Sequence, residues 1–146
     1  MRKRDYAKAK AARIARELAE PPKELESAIQ ARIVDMLGKL GCLVERRGEA
    51  QGRGGKGGGA FYTGEPDLRI SYLGLTFGVE VKRDADSSIR DDQIAWMKKN
   101  WRHLPIYVVC SEQQALEAFN AVVKHGQRHS AYDCRVEPFH AWVRLT

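Results

Sequence analysis

The stretch GEPDLRISYLGLTFGVEVKR, residues 64–83, carries two carboxylates that the packing of a hairpin does not require. Apolar residues alternate with polar ones on both sides of Leu73-Gly74, which predicts two half-buried strands that turn at this dipeptide. In that register Asp67 lies directly opposite Glu80, on the face that does not carry the apolar residues. Opposed residues have Cβ atoms about 4.5–5.5 Å apart, so the two negative charges would repel each other unless a cation lies close by.

Two carboxylates that converge on one point are typical of a site for Mg²⁺ or Mn²⁺. An ion bound there could polarise a phosphodiester and lower the pKa of an attacking water. Lys82 lies on the same predicted face as Glu80, where it could position that water or stabilise the charge that develops on the phosphorus. The alternative is structural, because charged residues on a solvated strand face need no special explanation.

The charge of the whole chain favours a polyanionic partner. The 146 residues contain 25 lysines and arginines against 19 aspartates and glutamates, a net charge of +6, and nucleic acid is a common partner of such proteins. Residues 1–23 form a basic N-terminal arm or helix. A second basic cluster lies in or beside a glycine-rich loop and consists of Arg46, Arg47, Arg53 and Lys56. We expect both clusters to contact the backbone of DNA without reading its sequence.

Several other classes of protein are disfavoured. No apolar run approaches the roughly 18 residues of a membrane helix, and the N-terminus lacks the apolar core of a secretory signal. Cys42, Cys110 and Cys134 are too widely spaced for a C-x-x-C metal site or a disulfide framework. The run GRGGKGGG lacks the G-x-x-x-x-G-K-[ST] pattern, so we expect no nucleotide cofactor. These features predict a protein of a reducing, cytoplasmic compartment that does not enter membranes.

The elements that must position the charged residues follow from periodicity and capping signals. The predicted order is α-β-β-β-α-β-α-β, an α/β domain over residues 24–146 with a mixed sheet flanked by helices. Ser87 or Ser88 is expected to cap the second helix, and Ser111 with Gln114 the third. The predicted helices span about residues 24–39, 89–102 and 112–124. The predicted strands are CLVER, residues 67–72 and 75–82, LPIYVVC, and the tail from Phe139 onward.

The motif residues resemble those of a known superfamily. Pro66-Asp67, followed after twelve residues by Glu80-Val81-Lys82, is similar to the motif of the PD-(D/E)XK nucleases. Within that superfamily the chain resembles the VRR-NUC family (virus-type replication-repair nucleases) over about residues 24–120. The segments that carry the resemblance are ESAIQARIVDMLGKLG, GEPDL, VEVKR, DDQIAWMKKN and PIYVVCSEQQALEAF. The resemblance implies a restriction-endonuclease-like fold.

The resemblance also implies a role for each motif residue. Lys82 would be the catalytic lysine, and Gln93 would be the glutamine that orients water or DNA after the lysine motif. Glu26 resembles the acid of the first helix that completes the metal site, with Glu24 as the rival position. The implied ligands of Mg²⁺ or Mn²⁺ are Glu26, Asp67, Glu80 and the backbone carbonyl of Val81.

The expected activity is that of a structure-selective DNA endonuclease, most simply one that resolves Holliday junctions as a homodimer, because two symmetric cuts suit two sites related by a two-fold axis. The candidate dimer contact is the C-terminal strand with Phe139, Trp142 and Val143. The alternatives are a flap or nicking endonuclease, a restriction-type nuclease, and a non-catalytic nucleic-acid-binding module on the same fold. Stand-alone members of the family are viral or bacterial, so the expected location is the nucleoid of a bacterial or phage-infected cell.

Overall fold

The computed structural model of the chain describes residues 3–19, 24–47, 64–135 and 140–141. These residues contain four helices and six strands. The helices are α1 (Lys3–Ala19), α2 (Glu26–Lys39), α3 (Asp91–Asn100) and α4 (Glu112–His125). The strands are β1 (Leu43–Arg46), β2 (Leu68–Tyr72), β3 (Leu75–Val81), β4 (Ile106–Val109), β5 (Ala131–Asp133) and β6 (His140–Ala141).

The strands form one mixed sheet in the order β1-β2-β3-β4-β5-β6. Strands β1, β2 and β3 are antiparallel neighbours, β3, β4 and β5 are parallel, and β6 returns antiparallel to β5. Helix α3 connects β3 to β4, and helix α4 connects β4 to β5, because parallel neighbours need a crossover connection. This arrangement confirms the predicted α/β class and the mixed sheet flanked by helices.

Each face of the sheet is covered by apolar side chains of helices. The larger cluster lies between α2, α4 and the sheet and includes Ile29, Ile33, Leu37, Phe77, Val79, Val81, Ala118 and Val122. The smaller cluster lies on the opposite face, where Met97 of α3 packs on Ile106, Val108 and Ala131. Strand β4 is therefore buried on both faces, as its continuous apolar sequence predicts.

The hairpin of β2 and β3 has the predicted register and turn. Leu68 faces Val79, and the pairing continues in step to Tyr72 opposite Leu75. Leu73 and Gly74 both have positive φ, 47° and 83°, as a two-residue hairpin turn with the right-handed twist of the strands requires.

Three details of the predicted elements were wrong. Helix α3 begins at Asp91 with Arg90 as its N-cap. Neither Ser87 nor Ser88 is the N-cap as predicted, and the hydroxyl of Ser87 bonds with Asp84 inside the preceding loop. Strand β5 was not predicted. The expected C-terminal strand near an edge is confirmed, within the described residues, by β6.

Other predicted elements agree with the structure. Helix α2 begins two residues later than expected, and residues 3–19 of the basic arm are helical. Ser111 caps α4 as predicted, with its hydroxyl accepting from the backbone N–H of Gln114. None of the helices in the described ranges has both the length and the apolar character that a membrane crossing needs.

Candidate metal centre

The hairpin brings Asp67 and Glu80 together through reciprocal hydrogen bonds. The backbone N–H of Asp67 donates to Oε2 of Glu80 at 3.2 Å. Oδ2 of Asp67 in turn accepts from the backbone N–H of Val81 at 2.9 Å. Asp67 lies just before β2 and Glu80 near the end of β3, opposite each other when the register of the hairpin is extended by one residue. Their orientation is set by backbone N–H groups.

Two glycines allow the Pro66-Asp67 segment to lie where it does. A Cβ on Gly78 would lie 2.9 Å from Cγ of Pro66, so the proline ring packs against a strand position that has no side chain. Gly64 has a φ of +88°, and a Cβ there would lie 2.2 Å from the backbone O of Asp92. The segment is therefore held between β3 and the first turn of α3.

Glu26 contributes a third carboxylate from the first turn of α2. Ligand oxygens of Glu26, Asp67 and Glu80 all lie within 4.8 Å of one another. The rival position, Glu24, does not point to this cluster, because its carboxylate is bound by both terminal nitrogens of Arg32. The structure thus brings together the three acidic side chains that the sequence singled out.

The donor set fits a hard divalent cation. All three ligand groups are carboxylates, which suit Mg²⁺ or Mn²⁺, and they range from the exposed Glu26 to the buried Glu80. The contact of Val81 with the cluster is made by its backbone N–H, and the role of its carbonyl as a ligand stays a prediction.

Glu80 has a strongly perturbed pKa. Burial raises the pKa of this carboxyl group, and the charge of Asp67 raises it further, to about 8, although Lys82 and Arg47 act in the opposite direction. Near neutral pH the group therefore holds a proton in the metal-free protein. A divalent ion that bound to Glu80 would have to displace this proton, since only the carboxylate is a good ligand.

Lys82 and Gln93 complete a buried polar network around Glu80. The amide nitrogen of Gln93 donates to Oε1 of Glu80 at 2.5 Å, and its amide oxygen accepts from Nζ of Lys82 at 2.9 Å. Nζ of Lys82 also lies 3.5 Å from Oε1 of Glu80. Only 2% of Glu80, 6% of Lys82 and 2% of Gln93 is exposed, which excludes the alternative that these residues form a solvated strand face.

The orientation of Gln93 is fixed from the helix as well as from the strand. Its amide oxygen also accepts from the backbone N–H of Arg90 at 3.0 Å, across the first turn of α3. Both ends of the amide group are therefore engaged, and the side chain sets the separation between α3 and the end of β3.

Two of the four predicted DNA-binding residues lie in the described part of the chain. Arg47 lies at the cluster, with Nη2 3.4 Å from Oδ1 of Asp67, and Arg46 is the last residue of β1. Arg53 and Lys56 lie outside the described residues, as do Phe139, Trp142 and Val143 of the candidate dimer contact.

Two charged pairs beside the site were not predicted from the sequence. Glu65 is buried and its Oε1 accepts from Arg69 at 3.2 Å. The guanidinium of Arg135, whose side chain is 7% exposed, binds both carboxylate oxygens of Asp133 and the backbone oxygens of Asp84 and Ser87. The second pair fixes the loop that joins Lys82 to α3. The sequence contains little indication of these contacts, because Arg135 lies 51 residues from Asp84 in a segment with no predicted element.

Comparison with known proteins supports the architecture. A solved structure described as a VRR_NUC domain is 24% identical in sequence to this chain, with a TM-score of 0.50. The match covers 68% of this chain and 95% of that one. The fold is that of a VRR_NUC domain. The match confirms the fold that the resemblance implied, and the roles of Asp67, Glu80 and Lys82 stay predictions. No family model and no curated protein matches the sequence.

Proposed function

We propose that this protein is a divalent-metal-dependent DNA endonuclease of the PD-(D/E)XK type. The observation that carries the proposal is the convergence of three carboxylates within 4.8 Å beside a buried lysine. A structural charge cluster has no need of this combination, since burying several charged groups at one place costs free energy unless they are paired or bind a metal. The VRR_NUC fold supports the same activity.

The residues around the cluster have complementary roles in this proposal. An ion held by Glu26, Asp67 and Glu80 would polarise the scissile phosphate and lower the pKa of an attacking water. Lys82 stabilises the negative charge that develops on the phosphate oxygens. Gln93 holds the ammonium group of Lys82 at a fixed distance from Glu80 by binding both side chains.

The proposed substrate is branched DNA, most specifically a four-way junction that is resolved by a homodimer. The basic helix α1 supports binding to a polyanion, since residues 4–16 are all exposed. This stretch contains one acidic residue, Asp5, against Arg4, Lys8, Lys10, Arg13 and Arg16. Phosphate contacts of this kind position a duplex without reading its sequence, which suits a nuclease that selects DNA by its shape.

A cleavage assay tests the proposal. Wild-type protein and Lys82→Ala are incubated with labelled four-way junction, flap, single-stranded and duplex DNA, with Mg²⁺ or Mn²⁺ and with a chelator. We expect metal-dependent cleavage that falls by at least about 10²-fold in Lys82→Ala. Lys39→Ala is the matched control, because Lys39 is exposed and pairs with Asp35 one helical turn away.

The outcomes separate the parts of the proposal. Equal cleavage by wild type and a folded Lys82→Ala variant would contradict the assignment of the site. Cleavage of flaps but not of junctions would favour the flap or nicking alternative. DNA binding without cleavage under any metal condition would favour the non-catalytic module. Light scattering tests the dimer separately, and a monomer at micromolar concentration would count against junction resolution by a homodimer.

A further inference from the structure

Arg47 follows β1 and lies in the same cross-strand row as the two carboxylates of the hairpin. Its backbone N–H donates to the backbone oxygen of Asp67 at 2.8 Å, which extends the β1–β2 pairing by one residue beyond Arg46 opposite Leu68. Asp67 in turn lies opposite Glu80. The row therefore places a guanidinium next to a cluster that is suited to bind a cation.

The two side-chain contacts of Arg47 are unequal. Nη1 donates to the backbone oxygen of Glu65 at 2.7 Å, a short bond to a neutral acceptor. Nη2 lies 3.4 Å from Oδ1 of Asp67, which is long for a charge-assisted hydrogen bond. The side chain is 28% exposed, so the guanidinium is anchored most firmly at Nη1 and is partly accessible to solvent.

The charge of Arg47 opposes metal binding but favours an anion. Three carboxylates are neutralised by one divalent ion together with Lys82. Arg47 then leaves the loaded site with a net positive charge, although its own proximity repels the ion. In the metal-free protein this charge lowers the pKa of Glu80. In the loaded site it is placed to meet a negative group that arrives after the metal, and the planar fork of arginine matches the oxygens of a phosphate.

We propose that Arg47 is a further catalytic residue, which contacts the scissile phosphate of the DNA. In the metal-free protein Nη2 contacts Asp67. When Asp67 is engaged by the ion, Nη2 exchanges this carboxylate for a phosphate oxygen, while Nη1 keeps its bond to Glu65. This role is more specific than the contact with the DNA backbone that the sequence suggested, and it rests on the proposed nuclease function.

The test measures catalysis and metal binding in the same variants. Arg47→Gln removes the charge, Arg47→Lys keeps the charge but not the fork, and Arg32→Gln is the charge-matched control on the exposed surface of α2. We expect kcat to fall about 10²-fold in Arg47→Gln, as for the loss of one donor to a developing oxyanion, and by less in Arg47→Lys. KM should change little, because one of many phosphate contacts is lost.

Metal binding supplies a readout that is independent of cleavage. Titration calorimetry with Mg²⁺, at a pH far enough above 8 that Glu80 is ionised with or without the charge of Arg47, should show roughly tenfold tighter binding in Arg47→Gln, because a repelling unit charge has been removed. Arg47→Lys and Arg32→Gln should bind Mg²⁺ as the wild type does. Circular dichroism confirms that each variant is folded.

Three results would overturn the inference. Wild-type kcat in Arg47→Gln, in an enzyme whose Lys82→Ala variant is inactive, would remove the catalytic role and leave the proposed function intact. Weaker Mg²⁺ binding in Arg47→Gln would show that Arg47 orders Asp67 for the metal instead of competing with it. A wild-type protein that cleaves none of the DNA substrates would remove both the proposed function and the role of Arg47.

Discussion

The two faces of strand β3 differ more than their shared alternation suggests. One face carries Phe77, Val79 and Val81, which are fully buried in the core under α2 and α4. The other face carries Glu80, which is also buried but lies in a hydrogen-bonded network under the first turn of α3. Period-two alternation usually indicates one face in the core and one in water. Here both faces are interior, and they contribute differently to the molecule.

The two faces of β3 contribute to the free energy of folding in opposite directions. Apolar side chains stabilise the fold by leaving water, whereas buried ionisable groups cost free energy unless they are paired or neutralised. The raised pKa of Glu80 reflects this cost, because burial disfavours the charged form of the carboxyl group. We infer that the apolar face supplies the stability that allows the charged face to be held in position for chemistry. Substitutions on the two faces should therefore have separable effects.

The largest effect on stability is expected on the apolar face. Phe77→Ala should lower the free energy of unfolding by about 3–5 kcal/mol, because Phe77 is fully buried and its removal leaves a cavity. Urea denaturation measures the change. Cleavage per folded molecule, assayed at low temperature where the variant stays folded, should remain close to that of wild type. A loss of kcat as large as that in Lys82→Ala would remove the distinction between the two faces.

Glu80→Gln, on the charged face, is expected to stabilise the metal-free protein near neutral pH, whereas Phe77→Ala destabilises it. Because the pKa of Glu80 is raised from 4.5 to about 8 by folding, this group should lower the stability of the metal-free protein by a few kcal/mol as the pH rises from about 4.5 to about 8. Glutamine is neutral at every pH and should abolish most of this loss. Thermal denaturation in chelator, from acid to alkaline pH, measures both proteins.

The same variant should bind Mg²⁺ more weakly, because a carboxylate ligand has been removed. A Glu80→Gln variant whose stability depends on pH between about 4.5 and about 8 to the same extent as that of wild type would contradict the role given to Glu80.

Gly78→Ala should lower the stability by less than Phe77→Ala and should also affect metal binding. The added Cβ would lie 2.9 Å from Pro66 and 3.3 Å from Leu104, and such overpacking costs about 1–3 kcal/mol. Because Pro66 precedes Asp67, we expect the variant also to bind Mg²⁺ more weakly. Gly38→Ala on α2, where nothing lies within 4 Å of the added Cβ, is the control. Unchanged metal affinity in Gly78→Ala would show that Asp67 is positioned independently of the proline.

Local patterns were sufficient to predict the hairpin and its carboxylates. The alternation of apolar residues around Leu73-Gly74 determined the register, because a slip by one residue would expose the apolar face. The same register placed Asp67 opposite Glu80. Most helix and strand bounds followed from periodicity, since each helix has to bury one apolar stripe.

The remaining features depend on contacts between distant segments. Strand β5 has three residues, and it is a strand because it pairs with β4 after the α4 crossover. The burial of Glu80 depends on α3 packing over it, which alternation cannot reveal. Arg135 and Arg47 act through partners whose positions only the assembled sheet defines, so their sequence signals were no stronger than those of other basic residues.

An anomalous difference map from crystals grown with Mn²⁺ tests whether the charged face of the hairpin holds a divalent ion. We expect an ion bound by carboxylate oxygens of Glu26, Asp67 and Glu80, at distances of roughly 2.0–2.3 Å, and no such ion in crystals of Asp67→Asn. A map in which Mn²⁺ is absent from this cluster, at a concentration that supports cleavage, would contradict this expectation.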